Sequence, residues 1–270
     1  MRAGARTRVD GPTVDDAAIR ELTRAREDTL CELQSAKVRR NAVLLRQDIR
    51  YVGRAAWHPA HLRWLSEVVC PTPAQHSVFH AYVRAVHAPT ARLRRLEQAR
   101  QEQGTSWRLH PVVDALQALR GVQCIAAVTL VADMGELTRC DTPRELRQFL
   151  GLLPSESSSG EQRRQGASTQ AGHTHARRVL VAGAWACREP AKARRQLQRR
   201  RDTPPKMLQD SSWKAQVRRC QRYRQLAARG NHPNVVTVAM ARELMGFLGA
   251  MAKRGPITPS SQDAWRLTSH

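Results

Sequence analysis

The sequence predicts a mainly α-helical protein with a long antiparallel, coiled-coil-like helical arm and a compact helical C-terminal domain. Residues 15–50 contain no Gly or Pro, and their apolar side chains recur at helical spacing among dense charges. Residues 74–103 repeat this pattern, whereas the apolar segments after Gly104 are shorter and denser. We therefore predict a residual N-terminal segment (1–14), the arm (15–104), the C-terminal domain (105–254) and a disordered tail (255–270).

Two long helices should form the arm. Asp15 and Asp16 stand where helix starts favour acidic side chains, and Gly53 ends the first helix. The second helix contains Pro89, which is expected to kink it because proline lacks the amide hydrogen that a helix interior uses. The connector between the helices holds Trp57, a second tryptophan and several prolines, and we expect it to be irregular.

The C-terminal domain should begin with a short helix over 111–119, a turn at Gly121 and an apolar segment over 125–134. Residues 116–127 thus have the outline of a helix-hairpin-helix element. The turn amides of such an element can bind a DNA backbone.

Capping residues mark three further helix starts. Thr142 is followed by proline, which is typical of an N-cap and a first helical residue. Thr174 should cap the next helix, and Asn234 should cap a last, apolar helix. Residues 154–173 are rich in Ser, Gly and Gln, so we predict a polar loop there.

The charge balance predicts a polyanionic partner. The chain has 45 Lys and Arg against 23 Asp and Glu, a formal net charge of +22. A phosphate backbone neutralises such a charge by releasing counterions, and arginine matches phosphate with bidentate geometry, so nucleic acid is the expected partner. Residues 188–229 carry 14 of these cations against three acidic residues. The candidate nucleic-acid-binding side chains there are Arg199, Arg200, Arg201, Lys214, Arg218 and Arg219.

Other classes of protein are disfavoured. The apolar runs fall short of the ~20 residues that a bilayer span needs, and the N-terminus lacks a signal core, so we expect a cytoplasmic protein without a membrane contact. The six cysteines include no Cys-x-x-Cys pair, which argues against a zinc knuckle. Three histidine pairs lack a third ligand at metal-site spacing, so we expect surface or packing roles and no metal bound by this chain. These pairs are His58/His61, His76/His80 and His173/His175.

A serine followed by glycine lies inside the polar loop. The Ser159 hydroxyl can approach a phosphodiester because Gly160 lets a second backbone come close, and Arg163 and Arg164 can hold phosphate oxygens. The alternative is a solvated linker, which the composition alone favours.

With these motifs in order, the chain resembles insertion-sequence transposases that join an N-terminal RNase-H-like DEDD nuclease domain to a serine-bearing transposase domain. The two domains are connected in that family by a helical arm, and the resemblance covers the arm and the C-terminal domain only. The matching segments are 18–28, 51–53, 57–65, 116–121, 127–132, 147–152, 154–155, 158–160, 164–166, 175–178 and 213–216.

The resemblance implies a role in DNA transposition. Ser159, with Ser158 as the neighbouring alternative, would be the nucleophile that forms a covalent phosphoserine link to DNA. The residues that would contact nucleic acid around it are Gly160, Arg163, Arg164, Arg177 and Arg178. Family members act as multimers on DNA with Mg²⁺ and a structured guide RNA. The resemblance therefore implies DNA and guide-RNA partners and a homo-oligomer formed through the arm.

Two departures from the family pattern limit this expectation. Gln170 and His173 stand where the family has Lys and Asn, and the four metal-binding carboxylates of the nuclease domain are not found before the arm. We therefore expect a truncated transposase that is inactive alone, because a serine hydroxyl needs activation by a base or a metal. The alternatives are a non-catalytic nucleic-acid-binding protein and a domesticated interaction module whose arm dimerises.

Overall fold

The structure is a computed structural model that describes residues 12–53, 57–135, 137, 142–159, 162–169, 172–193, 195–202 and 204–254. As the sequence predicts, it is mainly helical. The helices of the described residues are α1 (Val14–Arg46), α2 (Pro59–Glu67), α3 (Pro73–Ser106), α4 (His110–Gln117), α5 (Cys124–Met134), α6 (Pro143–Phe149), α7 (Thr174–Ala184), α8 (Arg195–Asp202), α9 (Lys206–Ala228) and α10 (Pro233–Ala252). An antiparallel hairpin, β1 (Pro154–Ser159) and β2 (Gln162–Ser168), lies between α6 and α7. A 3-10 helix, Trp185–Arg188, follows α7.

The chain divides into two compact units. The arm unit comprises residues Glu21–Glu102, and the helical domain comprises the residues up to Arg20 together with those from Gln103 onward. The first turns of α1 are therefore part of the helical domain, although the sequence pattern assigns them to the arm. The predicted N-terminal segment and tail lie largely outside the described residues.

Within the arm unit, α1 and α3 run antiparallel. Arg26 pairs with Glu97 at 2.9 Å, and Arg92 pairs with Glu32 at 2.7 Å, so a step forward along α1 is a step back along α3. α3 continues through Pro89. The prediction of an irregular connector is wrong in one respect. The connector contains the helix α2, which begins with proline at its first helical position. The main buried cluster of this unit consists of Leu44, Leu65, Val68, Cys70 and Phe79.

The helical domain packs around α10. Helices α4, α6, α7 and α9 contact α10, and its Met240, Leu244 and Leu248 are buried. With 20 residues and a mean hydropathy of 1.5, α10 is long and apolar enough for a membrane span, which corrects the expectation that no apolar run approaches that length. However, 56% of the apolar window is buried in the fold, as in the core helix of a folded domain.

The turn between α4 and α5 lies where several other helices meet. Gly121 has a φ of +90°, and a Cβ atom there would collide with the carbonyl oxygen of Gly183 on α7. Arg200 of α8 donates to the Val122 carbonyl at 2.8 Å, and Arg219 of α9 donates to the Arg120 carbonyl at 3.4 Å. The predicted sequence of helix, Gly121 turn and helix is therefore present. Its assignment as a phosphate-binding helix-hairpin-helix element remains a prediction.

One of the three predicted helix caps is confirmed, and the other two lie at different residues. Thr142 caps α6 as expected, since its hydroxyl accepts from the Glu145 amide. The N-cap of α7 is His173 rather than Thr174, which is the first helical residue. The N-cap of α10 is likewise His232 rather than the predicted Asn234. Proline is the first helical residue of α10, and the imidazole of His232 accepts a hydrogen bond from the Asn234 amide.

A buried carboxylate fixes the start of α1 within the helical domain. Asp16 is 3% exposed, and its two oxygens accept from Trp107 Nε1 at 2.8 Å and from Arg108 Nη2. Burial alone would raise the pKa of Asp16. Hydrogen bonds from Arg108 and Trp107, together with the Arg108 charge, instead hold this pKa below its ordinary value.

We expect Asp16→Asn to lower the free energy of unfolding by about 1–3 kcal/mol at neutral pH, because Arg108 would lose its buried charge partner. A depressed folded-state pKa means that the stabilisation is present above the unfolded pKa of about 4 and is lost as the pH falls through the folded value. The difference between wild type and variant should therefore shrink below pH of about 4. Urea unfolding across a pH series measures this difference in the free energy of unfolding. The exposed neighbour Asp15→Asn is the control, and an equal effect of both variants would contradict the role of Asp16.

Candidate functional site: a serine hairpin and a basic surface

The serine-rich segment forms a hairpin rather than the predicted loop. In its register Ser157 is opposite Arg164, Ser158 is opposite Arg163, and Ser159 is opposite Gln162. The pairing shifts by one residue between Pro154 and Glu156, as in a β-bulge. Ser159 is thus the last residue of β1, at the closed end of the hairpin. Gly160, predicted to contact nucleic acid, lies outside the described residues.

Alternation along the strands separates the two candidate nucleophiles. Successive strand positions lie on opposite faces, and directly paired positions share a face. Positions 157, 159, 162 and 164 therefore lie on one face of the hairpin, and positions 158 and 163 lie on the other. The predicted alternatives Ser159 and Ser158 consequently belong to different faces, each with one of the two predicted arginines.

The open end of the hairpin is attached to the helical domain through backbone carbonyl groups. The amides of Thr169 and His173 donate to the carbonyls of Leu153 and Phe149, at 2.9 and 3.2 Å. Two arginines hold the segment between these points. Arg177 Nη1 donates to the Leu150 carbonyl at 3.0 Å, and Arg242 Nε donates to the Leu152 carbonyl. The chain entering β1 is therefore fixed by side chains of α7 and α10.

Arg177 has a structural role that the sequence did not predict. Its guanidinium reaches Thr174 Oγ1 at 3.3 Å as well as the Leu150 carbonyl. It was predicted to position a phosphate, yet in the structure it anchors the base of the hairpin. Nothing in its sequence context distinguishes it from the adjacent Arg178, which is exposed.

A histidine–aspartate cluster lies beside the base of the hairpin. Asp133, near the end of α5, has a fully buried side chain, and its Oδ2 is 2.7 Å from His175 Nδ1 and 3.7 Å from His173 Nδ1. The His173 ring stacks on Phe149 with 5.8 Å between the centroids. An open cleft here is lined by Phe149, Gly172, His173, Thr174 and His175. This cluster was not predicted from the sequence, although an aspartate within the apolar segment 125–134 was a usable signal.

The cations that were predicted to bind nucleic acid divide into exposed and partly buried side chains. Arg178, Arg199, Lys214 and Arg218 are exposed, as residues that contact nucleic acid must be. Arg201 lies over the Trp213 ring, 5.0 Å from its centroid, in a cation–π contact. Arg200 is half-buried through its bond to the Val122 carbonyl, and burial holds its pKa below the usual value.

Arg219 lies in the interior, which disagrees with its predicted contact to nucleic acid. Its side chain is 0% exposed, and Nε donates to the Ala215 carbonyl at 3.1 Å while Nη2 donates to the Arg120 carbonyl. Two buried thiols lie beside it. A hydrogen bond from Cys187, together with the charges of Arg120 and Arg219, lowers the pKa of Cys220 to about 6 against the opposing effect of burial. The cost of burying the charged guanidinium is thus offset by hydrogen bonds to carbonyl oxygens and by the nearby cysteine sulfur atoms.

The carboxylate cluster of a two-metal site has no counterpart among the residues that the structure describes. No group of three or more His, Cys, Asp or Glu side chains there could hold a metal ion. These residues therefore do not fit the Mg²⁺ site that the family resemblance implies, and no chemical step can be assigned to a metal on them.

Comparison with known proteins relates the chain to transposases. Residues 113–198 match the sequence model of the transposase IS116/IS110/IS902 family, a range that includes the α4–α5 turn and the whole serine hairpin. A Sinorhizobium fredii protein named as a transposase, y4qE, is 37% identical over 260 residues, which cover 96% of this chain. The transposase for insertion sequence element IS1533 of Leptospira borgpetersenii is 23% identical over 217 residues, or 80% of this chain. The matched part amounts to 63% of the length of each of these relatives.

We expect Arg219→Gln to lower the free energy of unfolding by about 2–4 kcal/mol, because buried carbonyl groups would lose a charged donor. Arg218→Gln removes the same charge from an exposed side chain one residue earlier, whose Nε is 3.9 Å from a Glu243 oxygen, and should change stability by no more than about 1 kcal/mol. Chemical denaturation of both variants followed by circular dichroism measures the difference. Similar values for the two would show that the buried guanidinium does not stabilise the domain.

Proposed function

Because this chain is related to the IS116/IS110/IS902 transposases through residues 113–198, we propose that it is the DNA-binding, serine-bearing part of an insertion-sequence transposase. The observation that carries the proposal is the hairpin register, which sets Ser159 at the closed end of β1 on the same face as Arg164. A nucleophile at the end of a hairpin can enter a DNA groove while its scaffold stays outside. An arginine on the same face can hold the phosphate that is attacked.

The proposed chemistry is transesterification. The Ser159 oxygen bonds to the phosphorus of a DNA phosphodiester, the bond from phosphorus to a deoxyribose oxygen breaks, and that oxygen receives the proton which serine loses. The resulting phosphoserine link is itself a phosphodiester. A hydroxyl of another DNA strand can therefore displace the serine and rejoin the backbone. Arg164 would neutralise charge on the non-bridging oxygens during both steps.

The group that activates Ser159 is proposed to come from outside the described residues. The five steps from Pro154 to Ser159 extend about 16 Å at roughly 3.3 Å each, and the His173–Phe149 attachment lies at the opposite end of the hairpin. The His175–Asp133 pair beside that attachment is therefore poorly placed to deprotonate Ser159 of the same chain. We propose that the residues described are inactive on their own and require another domain or another copy for catalysis.

The exposed cations of α7, α8 and α9 are proposed as the nucleic-acid surface. Arg178, Arg199, Lys214 and Arg218 would each contact a phosphate, whereas Arg200 and Arg219 are committed to the α4–α5 turn. A structured guide RNA would use the same electrostatics as DNA, and the net charge of +22 is sufficient for more than one polyanion. Association of copies through the antiparallel arm is part of the same proposal.

The second candidate function is non-catalytic binding of nucleic acid. The observation that favours it is the set of exposed cations on α7, α8 and α9, which can bind phosphates without any chemistry at Ser159. Both functions predict tight binding at low salt, so affinity alone does not separate them. Preference for the ends of the mobile element, or for a structured guide RNA, would be expected only of a transposase.

We expect the triple variant Arg199→Gln, Lys214→Gln, Arg218→Gln to weaken DNA binding at every salt concentration. The slope of log affinity against log salt should fall by about 2–3, since each lost phosphate contact contributes about 0.9. Fluorescence anisotropy with element-end DNA and a scrambled duplex of equal length provides the measurement. The control triple variant Arg39→Gln, Arg46→Gln, Arg84→Gln removes the same charge from exposed positions of the arm unit. Equal slopes for the two triples would contradict the assigned surface, and equal affinity for both DNAs would favour non-catalytic binding.

We expect Ser159→Ala to abolish covalent attachment to DNA, while Ser158→Ala, on the other face of the hairpin, leaves most of it. The two arginines should follow the same division by face. Arg164→Gln should cause the larger loss of serine–DNA adduct, and Arg163→Gln the smaller loss. The assay is gel detection of a serine–DNA adduct, using a chimera in which residues 113–198 replace the matching part of the longer Sinorhizobium fredii relative. Adduct formation by the present chain alone with Mg²⁺ would contradict its inactivity, and an adduct in the Ser159→Ala chimera would exclude this serine.

A further inference from the structure

Two histidines face each other on the exposed side of α3. His76 and His80 are four residues apart, one turn along the helix, and their Nε2 atoms are separated by 3.1 Å. The ring centroids are 4.3 Å apart with 64° between the planes. Phe79 is 0% exposed and packs in the core of the arm unit, and its ring centroid lies 5.7 Å from that of His80. Both imidazoles are therefore held at the surface by the packing of the helix itself.

The distance between the two nitrogens suits a shared cation. The two Nε2 atoms are within hydrogen-bonding distance of each other, and in the tautomers that leave both nitrogens unprotonated, both lone pairs are available to one metal ion. A metal about 2.05 Å from each nitrogen would close a ligand–metal–ligand angle of about 98° across this gap. That angle is near the 90° of square-planar and octahedral complexes, which Cu²⁺ and Ni²⁺ favour. Tetrahedral Zn²⁺ would need the nitrogens roughly 0.2–0.3 Å further apart.

We propose that His76 and His80 form a bidentate site for a divalent transition-metal ion of the Cu²⁺, Ni²⁺ and Zn²⁺ class. The described residues contain no group of three metal-binding side chains, so water fills the remaining coordination positions and the site stays open. The ion is distinct from the Mg²⁺ of the family resemblance, because Mg²⁺ prefers oxygen ligands over imidazole. This site does not depend on the proposed transposase function.

The proposed site differs from the expectation that the histidine pairs have only surface or packing roles. A third ligand from the sequence is not required when two imidazoles on adjacent turns chelate one ion. Binding should also stabilise the beginning of α3, because the metal bridges two turns of the helix between its start at Pro73 and the interior Pro89. The geometry is set by helical spacing, so the site needs no rearrangement of the backbone.

The test is metal titration of the full chain purified without a histidine tag. Isothermal titration with NiCl₂, and electron paramagnetic resonance with CuCl₂, should show one metal equivalent bound through two nitrogen ligands. His76→Ala or His80→Ala should each weaken this equivalent about tenfold or more, and the double variant should lose it. His87→Ala is the matched control, since it removes an exposed histidine from the same helix, and it should bind like the wild type.

Circular dichroism of each variant verifies that α3 is intact, which is expected because both rings are exposed. Retention of the metal equivalent by the folded double variant would overturn the proposal. A loss of affinity in His87→Ala equal to that in His76→Ala would overturn it as well. Neither result depends on DNA binding or on Ser159, so failure of this site leaves the proposed function untouched, and the reverse also holds.

Discussion

The packing of the helical domain depends on the turn between α4 and α5. Gly121 and Gly183 bring two backbones together so closely that a side chain at either position would collide with the other carbonyl. Around this contact, the carbonyls of Arg120 and Val122 accept from arginines on α9 and α8. A turn with several outward carbonyls is costly to bury unless each finds a donor. The arginines supply these donors, so helices distant in sequence converge on one short segment.

The same use of arginine recurs at the hairpin. The carbonyls of Leu150 and Leu152 precede β1, and Arg177 and Arg242 hold them from α7 and α10. The hairpin strands themselves contact mainly each other. A positive charge count is therefore no measure of a binding surface here, because part of the arginine content builds the scaffold.

The sequence predicted those features that follow from local chemistry. The two long arm helices were recognisable from charge and apolar spacing, and Thr142 followed by proline predicted the start of α6 correctly. The hairpin was not predictable in this way, because Ser, Gln and Arg give no apolar alternation and its strands are held by backbone pairing. The burial of Arg219 was equally hidden, since Arg218 beside it has the same local sequence context and only the packing of α9 separates them. Likewise Asp133 and His175 are 42 positions apart, and tertiary structure alone brings them to 2.7 Å.

The register of the hairpin constrains the chemistry more tightly than the motif does. As a flexible loop, residues 157–160 could offer any of three serines to a phosphodiester, and both arginines could serve whichever serine reacts. Once the strands pair, adjacent positions lie on opposite faces, so Ser157 and Ser159 are grouped with Arg164, and Ser158 is grouped with Arg163. A shift of the pairing by one residue would exchange these groups. The bulge between Pro154 and Glu156 takes up one residue at the base, and beyond it the register runs without a further shift to the closed end. The face that each serine shares with an arginine is therefore a consequence of backbone pairing at the base of the hairpin, several residues away from the serines themselves.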